Sequence, residues 1–579
     1  MLIKHIEINH FRGIKTLDWH INGRLACLVG PGDSTKTTIL DAIELALAPR
    51  WYISFSDADF YQANTESPLS VSVTIGELPD DLLGDEKCGL YLRGYRQNEF
   101  NEDPEDGWES VITVKLVVSS DLEPQWELFK ESLSDTRPLS WRERGQLGMA
   151  RLGDDVERHL TWSRGSALTR ITESGTTTGP TLAIANRAAH AAIFNATTLN
   201  ELDVAAEQVR EAAKEFGVNT STLHPGLDTQ MVSFGSGALS LHDEKKIPLR
   251  AVGLGSRRLT GLAIQQAGLG PGAILLIDEI EHGLEPHRIR RLLNKLTADH
   301  SNQEDGCGNQ DKKQGQVLMT THSPTAIMTL PVSDLRFVRT QHGKTIVEQV
   351  DLNTIDTIQR IVRKLGHALL ARKIIVCEGK TEEALCRVLD DHWANSHQGH
   401  TLAYAGVVAV YGEGRTNGPL AAQEFSRIGY DVTFLGDSDE PIKPNAEILK
   451  NSGVNVILWQ GKMATEQRLA TDLPWNFLQD FINVGVEVRG ESSVLDSIGN
   501  HLKKNLIHIG KVIDDWTDDS IDESMLRKTV GEIAHKQCWF KDLNTGEKLA
   551  QIAVGALSDI EDTPFAQALS QLEAWVYDE

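Results

Sequence analysis

A chain of 579 residues is too long for one hydrophobic core and is expected to hold two or three domains. Its net charge of −25, from 57 Lys+Arg against 82 Asp+Glu, argues against a protein that coats nucleic acid non-specifically. It leaves room for one that meets DNA through a local basic groove and bound metal. Six cysteines without a C-x-x-C pair argue against a zinc finger or disulfide framework; with no bilayer-length apolar stretch and no signal-peptide pattern, a cytoplasmic protein off the membrane is expected.

In chain order, Leu2 to Gly13 mixes apolar and polar residues as a strand does, and Leu25 to Val29 forms a second strand. That strand runs into Gly30-Pro31-Gly32-Asp33-Ser34-Thr35-Lys36-Thr37-Thr38. Ile39, Leu40, Ile43 and Leu47 then share one helical face, and Pro49 ends the helix. A strand, a glycine-bearing loop and a helix in this order are what phosphate binding needs. Backbone N–H groups and the helix N-terminus hold the phosphate oxygens, Lys36 neutralises them, and Thr37 ligates Mg²⁺. Thr35 stands where the usual motif has its second glycine, so nucleotide binding with slow hydrolysis is expected. Gln62, beyond the first helix, is a weaker candidate for reaching the metal, and Glu99 to Glu109 reads as a solvated acidic loop.

From about Asp121 to His242 there is no chemical motif. Leu199 to Phe216 is helical by periodicity, and Ser163 to Thr181 is rich in Ser, Thr and Gly. Val252 to Leu259 then opens a helix with Gly253, Gly255 and Ser256, a second anion-binding element. Gly272 to Glu279 is an apolar strand ending in Asp278, expected to hold Mg²⁺ through water, and Glu279, expected to polarise the attacking water. Ser301 to Gln316 reads as a polar loop. Gln316 to Pro324 is a third strand with His322 at its end, placed to touch a γ-phosphate.

Phosphate loop, serine–glycine signature, acidic strand end, short acidic loop and strand-end histidine, in that order, resemble an ABC-type ATPase of the RecF/SMC kind. Phe11-Arg12-Gly13 is similar to that group as well. The resemblance implies ATP as cofactor and a homodimer or higher homo-oligomer, in which Gly255 and Ser256 of one subunit cover the nucleotide of the other. The region 121–242 is where such a protein would carry an inserted helical, dimerising element. No long heptad array is present, so extended coiled-coil arms are not expected.

Arg363 to Leu370 reads as a connector into a second α/β region. Ile374 to Cys377 is a short buried strand that ends in Glu378-Gly379 and enters a helix near Thr381 carrying Glu382. Val407 to Val410 and Asp431 to Leu435 are further strands. The second runs into Gly436-Asp437-Ser438-Asp439, where Asp437 and Asp439 point to the same side. Carboxylates at the ends of neighbouring parallel strands suit Mg²⁺ or Mn²⁺. The pattern E-G-x-x-E, strand, glycine, D-x-D resembles the Toprim domain of topoisomerases, primases and related nucleases.

That resemblance makes Glu378, Glu382, Asp437 and Asp439 metal ligands. It adds Glu466 after the Val456–Trp459 strand, with a plain helix-face acid as the competing account. It also implies a late lysine against the scissile phosphate: Lys541 is the choice, and Lys528 and Lys536 its rivals. Asp559 to Glu579 reads as a capping helix.

An ABC-type ATPase (1–368) followed by a Toprim domain (369–579) resembles the OLD (overcoming lysogenization defect) endonucleases, which include the nuclease subunit of Gabija-type antiphage systems. The resemblance covers both ends of the chain and hardly the middle. It implies metal-dependent cleavage of phage or plasmid DNA under ATP control, with a helicase-like or reverse-transcriptase-linked (retron) partner compatible with it. The competing reading is a RecF/SMC-like ATP-driven clamp or sensor that cuts nothing; an RNA-cleaving or primase-like use of the same metal site is a further alternative.

Overall fold

The computed structural model describes residues 1–578 except 51, 85–87, 134, 154–155, 163–165, 173–181, 183, 186, 190, 192–203, 210–238, 245, 269–271, 305–314, 352–354, 507–515 and 517–521. The expected helix at 199–216 and the Ser/Thr/Gly-rich stretch at 163–181 therefore lie mostly outside the described residues, as does most of the polar loop 301–316. The chain falls into two compact units. One gathers Met1–Ala26, Thr37–Thr321 and His342–Lys344; the other gathers Cys27–Lys36, His322–Gln341 and Thr345–Glu579. Among the described residues no helix is long and apolar enough to cross a membrane.

The first unit is built on strands whose alternation sorts core from surface. β1 (Leu2–Phe11) pairs antiparallel with β2 (Ile14–His20). Ile6 and Ile8 meet Trp19 and Leu17 in register and are buried with them. His5 and Glu7, at the alternate positions of β1, meet His20 and Asp18 on the opposite face. β3 (Leu25–Val29) follows, buried at every position. On the other side of β1 lies β4 (Leu69–Gly76), and β5 (Arg93–Arg96), β6 (Glu99–Asn101), β7 (Glu109–Val118), β8 (Pro124–Phe129) and β9 (Arg137–Pro138) extend the antiparallel array.

One sequence expectation holds here and another changes. The stretch 99–109 begins in β6 and ends in β7: Glu109 makes a 2.7 Å ion pair with Lys4, and Glu102 accepts the Ser132 N–H at 3.0 Å. Glu99, Asp103, Glu105 and Asp106 are exposed, as the solvated reading expects. The span 121–242 is no pure helical insertion. It contains β8, β9 and β10 (Met149–Leu152), and β10 pairs in parallel register with β11 (Ile274–Ile277). β11 in turn pairs with β12 (Gln316–Thr320), whose Val317 N–H donates to Arg24 C=O at the start of β3.

In the second unit, β13 (Leu335–Gln341) runs parallel to Cys27–Val29 and leads into β14 (Lys344–Glu348). A separate four-stranded sheet has the order β16 (Val407–Tyr411), β15 (Lys373–Cys377), β17 (Asp431–Gly436), β18 (Asn455–Leu458), with every neighbouring pair parallel. β15 is flanked on both sides, which is why Ile374 to Cys377 reads as an unbroken apolar run and is fully buried. Each such side chain contributes roughly 1.5–3 kcal/mol by leaving water. Helices Lys380–Ser396 and Leu543–Gly555 pack together beside this sheet, and Thr465–Asp472 packs with Glu523–Lys536. Pro564–Tyr577 closes the chain, anchored by Phe565, Leu569, Leu572 and Val576 in a core shared with Trp459 and Trp539. All four sheet strands point their carboxyl ends the same way, so whatever follows them gathers at one edge.

Candidate functional site

The phosphate-loop end comes first. Gly30 follows β3 with no room for a side chain: a Cβ there would lie 2.4 Å from the Val338 carbonyl oxygen. Gly32 and Asp33 are exposed, and Asp33 has φ of 58°. Ser34 donates to Pro31 C=O at 2.8 Å, and Lys36, buried, donates to the carbonyls of Gly30 and Pro31 at 3.0 and 2.7 Å and to Ser34 Oγ at 3.0 Å. The ammonium is thus folded onto the loop that it would share with phosphate. Thr35 has φ of 65°, left-handed backbone that a β-branched residue adopts at a cost of about 1–3 kcal/mol. Its hydroxyl offsets part of this, donating to Ser34 C=O at 2.7 Å and lying 3.1 and 3.2 Å from the hydroxyls of Thr340 and Thr345. The glycine position is therefore filled by a residue tied into a threonine cluster.

Lys36 begins the helix Lys36–Leu47, which carries Thr37 and the half-buried Thr38. In the first unit Thr37 Oγ1 donates to Asp278 Oδ1 at 3.1 Å, which is the pairing that Mg²⁺ binding at a phosphate loop requires. Thr320 donates to the same oxygen at 2.7 Å, and Arg151 Nη2 donates to Oδ2 at 2.8 Å. Arg151 also reaches Asp41, and Glu44 at 3.1 Å, while Arg12 bonds Asp41 and, at 3.0 Å, Asp59. Burial works against the Arg151 charge, but Asp41, Glu44 and Asp278 outweigh it and hold the guanidinium protonated. Sequence reasoning missed Arg151 because β10 lies in a region without a motif.

Glu279 is exposed at φ of 44°, its N–H held by Thr320 Oγ1 at 2.8 Å. Gly255 and the exposed Ser256 open the helix Leu254–Gly268. A Cβ on Gly255 would stand 2.4 Å from Gly283 C=O, and Arg288 donates to Ser256 Oγ at 3.3 Å. His322, exposed, follows β12 directly, and Ser323 next to it caps the helix Pro324–Thr329. Gln62 is also exposed, in a short kinked turn with φ of 55°.

The acids at the edge of the four-stranded sheet converge. Glu378 follows β15 and accepts the N–H of Asp437, which follows β17, at 3.0 Å. A Cβ on Gly436 would lie 2.7 Å from Glu378 Oε2, so the glycine makes room for the carboxylate. Thr465 joins two acids. Its N–H donates to Asp437 Oδ1 at 2.8 Å, and its hydroxyl lies 2.9 Å from that oxygen while also bonding Glu382 Oε1. Trp459 Nε1 donates to the same hydroxyl at 2.6 Å. One hydroxyl proton cannot serve two ionised carboxylates, so one of Glu382 and Asp437 keeps its own proton. The other oxygen of Glu382 accepts the Gly379 N–H at 2.8 Å, capping its helix. Glu382 is thus engaged at both oxygens.

Asp439 lies 3.5 Å from Arg415 and 3.6 Å from His535. His535 also stands 3.4 Å from Glu466 Oε2, and Lys541 Nζ is 3.5 Å from Glu466 Oε1. That Oε1 is buried without a hydrogen-bond partner. All three candidate lysines are exposed; Lys528 lies beside Glu532, and Lys541 is the one placed against Glu466. Arg415, Thr465 and His535 were not found from sequence. Arg415 had a signal, since it follows Gly412-Glu413-Gly414 at a strand end; the other two sit on ordinary helical segments.

The electrostatics are those of crowded acids. Burial, then Asp437, push the Glu378 carboxyl up to about 7. Burial, then the neighbouring carboxylates, also raise Glu382 and Asp437. Burial opposes ionisation of Glu466, but His535 and Lys541 outweigh it and hold the group below the usual carboxylate range. The Glu466 hydrogen bond raises His535. Oxygen-only donors and an orphaned buried carboxylate oxygen fit a hard divalent cation. As placed, no three of these acids bring oxygens within 4.8 Å of one another; among the described residues His5, Asp18 and His20 alone form such a group.

Residues 97–328 match the family model described as "AAA domain, putative AbiEii toxin, Type IV TA system". The match begins after the phosphate loop and takes in the Leu254–Gly268 helix and the Asp278–Glu279 strand end. No curated protein matches the chain. Among solved structures, the Smc head bound to the C-winged helix domain of ScpA is 14% identical, covering 61% of this chain and 99% of its own, with a TM-score of 0.35. The Smc head with an extended coiled coil bound to the C-terminal domain of ScpA, from Pyrococcus furiosus, gives 14%, 63%, 100% and 0.36. The SMC head from Thermotoga maritima gives 13%, 61%, 100% and 0.30. Similarities at this level carry no argument by themselves. The family match and the Thr37–Asp278 pairing point the same way: residues 97–328 are similar to an AAA-type ATPase domain, and the phosphate-loop threonine pairs with a strand-end aspartate inside that span.

Proposed function

We propose that the chain is a divalent-metal-dependent DNA endonuclease of the Toprim kind, controlled by ATP at its ABC-type domain and acting in cytoplasmic antiphage defence. The proposed division places the ATPase in 1–368 and the nuclease in 369–579. One observation carries this reading: Glu378, Asp437 and Asp439 leave neighbouring parallel strands at the same edge, and Glu466 with its orphaned oxygen and Lys541 join them from flanking helical segments.

Glu378, Asp437, Asp439 and Glu466 would hold Mg²⁺ or Mn²⁺. When bound, the metal would supply an activated water and offset charge on the leaving oxygen. Glu382 would join them only by exchanging its bond to Thr465, and otherwise positions Asp437 through that hydroxyl. Lys541 keeps its proton, because burial is outweighed by Glu466 and Asp437, and so offers a fixed positive charge to a phosphodiester. His535 orients Glu466. At the other domain Lys36, Thr37 and Asp278 would bind Mg²⁺·ATP, Glu279 and His322 would serve hydrolysis, and Gly255 and Ser256 would face the nucleotide of a second copy in a homodimer or larger assembly.

The test is nicking of supercoiled plasmid with and without Mg²⁺ or Mn²⁺, beside linear DNA and RNA. Glu378→Ala and Asp437→Ala should abolish nicking while ATP binding persists; full activity in both variants refutes the assignment. A specific observation favours a second reading, an ATP-driven DNA clamp: the acids as placed do not form a three-oxygen cage. That reading requires ATP-dependent retention on DNA with no cut strands under any metal. Cleavage of RNA alone would move the substrate class without moving the site.

A further inference from the structure

The outer face of β1 and β2 carries a second constellation, remote in sequence from the acids of the four-stranded sheet. His5 and His20 are directly opposed in the antiparallel register, and Asp18 lies two residues before His20, so all three project from one face. His5 Nε2 is 2.9 Å from Asp18 Oδ1, and His20 Nε2 is 3.9 Å from the same oxygen. The imidazole centroids lie 4.3 Å apart. The β5–β6 hairpin covers them: Phe100 is 5.4 Å from the His5 ring and 6.0 Å from the His20 ring. His5 is nearly buried, whereas the Asp18 side chain is 73% exposed, so the group opens to water on one side.

The hydrogen bonds behind His20 fix which of its nitrogens is available. Tyr95 Oη donates to Asn98 Oδ1 at 3.0 Å, with Lys4 C=O at 3.5 Å as its other acceptor. The tyrosine proton is therefore committed, and His20 Nδ1, 3.2 Å away, must donate to the tyrosine oxygen. In that neutral tautomer His20 Nε2 keeps its lone pair, 3.9 Å from Asp18 Oδ1. Two electron-rich atoms facing each other at 3.9 Å gain nothing without a cation between them. A polar atom holding the far nitrogen of a ligating imidazole is also the usual outer support of a metal-bound histidine.

We infer that His5, His20 and Asp18 bind a borderline divalent ion of the Zn²⁺ class, clipping β1 to β2. Two imidazoles and one carboxylate suit Zn²⁺ and its neighbours and are a poor set for Mg²⁺. Ligands about 2.0 Å from a tetrahedral ion lie roughly 3.3 Å from one another, and separations of 2.9 and 3.9 Å bracket that value. The fourth position falls on the exposed side, where water can take it. Glu7, opposite Asp18 in register, is the nearby protein alternative. The site is independent of the proposed nuclease acids.

The test uses the full chain carrying Glu378→Gln and Asp437→Asn, so that the sheet-edge acids do not compete. After chelation, Zn²⁺ is titrated by calorimetry, and Co²⁺ is added to read its visible absorption. One equivalent of Zn²⁺ that excess Mg²⁺ does not displace, with a tetrahedral Co²⁺ spectrum, is expected; His5→Gln and His20→Gln should each lose both. Tyr95→Phe removes only the outer support and should weaken Zn²⁺ about 10- to 100-fold with ligands intact. This variant keeps the test decisive should either histidine variant misfold. Binding unchanged in His20→Gln, or unchanged in Tyr95→Phe, overturns the inference.

Discussion

Glu378→Gln turns the crowding of acids into a measurable stability. A carboxyl raised from 4.5 to about 7 is harder to ionise in the folded chain than in the unfolded one. Its contribution is therefore intact below about pH 4.5 and is lost as pH rises through 7. The shift corresponds to about 3 kcal/mol of destabilisation in the metal-free protein at pH 8. Glutamine keeps an oxygen to accept the Asp437 N–H and removes the charge, so it should recover up to that amount. Denaturant unfolding followed by tryptophan fluorescence includes this unit, since Trp459 and Trp539 lie in its core, and hydrogen exchange of β15 and β17 assigns the change to it. With metal chelated, the variant should be up to about 3 kcal/mol more stable than wild type at pH 8, and within about 1 kcal/mol at pH 5. Adding Mg²⁺ should raise the wild-type midpoint and barely move the variant's. A variant destabilised equally at both pH values would refute the claim that burial and Asp437 hold the Glu378 carboxyl up. A Mg²⁺ response as large as wild type would refute its place among the ligands.

Lys36→Ala should weaken ATP binding by tenfold or more in calorimetry while leaving metal-dependent nicking detectable; behaviour like Glu378→Ala would mean the two sites are not separable. Thr35→Gly removes a left-handed β-branched residue, so steady-state ATP hydrolysis should rise, and the gain in backbone ease of about 1 kcal/mol should roughly cancel the lost threonine bonds. Arg151→Ala leaves Asp41, Glu44 and Asp278 facing one another with less compensation; a loss of about 3 kcal/mol in unfolding free energy is expected, and a neutral result would show that solvent replaces the guanidinium. Lys541→Ala should cut nicking by two orders of magnitude or more without changing the Mg²⁺-induced shift in unfolding midpoint, which separates phosphate stabilisation from metal binding.

Much of the fold was legible because its signals are local. Ile374 to Cys377 announces a strand buried on both faces by being apolar throughout, and β15 is paired on both sides. Gly30 and Gly436 mark close approaches of backbone or carboxylate that only an absent Cβ permits. The stretch 99–109 is solvated at Glu99 and from Asp103 to Asp106, as its density of charge suggests, but that density gives no sign of the hairpin that brings Glu102 to Ser132 and Glu109 to Lys4. β10 stayed hidden for a related reason. Four residues, Met149 to Leu152, are too short to show a period, and the strand exists because β11 is there to pair with it.

The site divides along the same line. Acids at strand ends can be read, because strand direction and glycine turns fix where they emerge. The groups that set their charge cannot, because they arrive from helices whose own pattern is satisfied without them. His535 lies in the last turn of a helix that buries Leu526, Val530 and Ile533, and nothing in that spacing says the imidazole will stand between Asp439 and Glu466. Thr465 looks like a helix-opening residue, yet its single hydroxyl is shared between Glu382 and Asp437. Glu378, Glu382 and Asp437 are raised and Glu466 is lowered, although all four are carboxylates buried within one cluster. Burial opposes ionisation at all four; at Glu466 the His535 hydrogen bond and Lys541 outweigh it, whereas Lys541 at Asp437 and Arg415 at Glu378 do not. A sequence names the acids; the packing of helices around them decides how many protons must leave before a cation can enter.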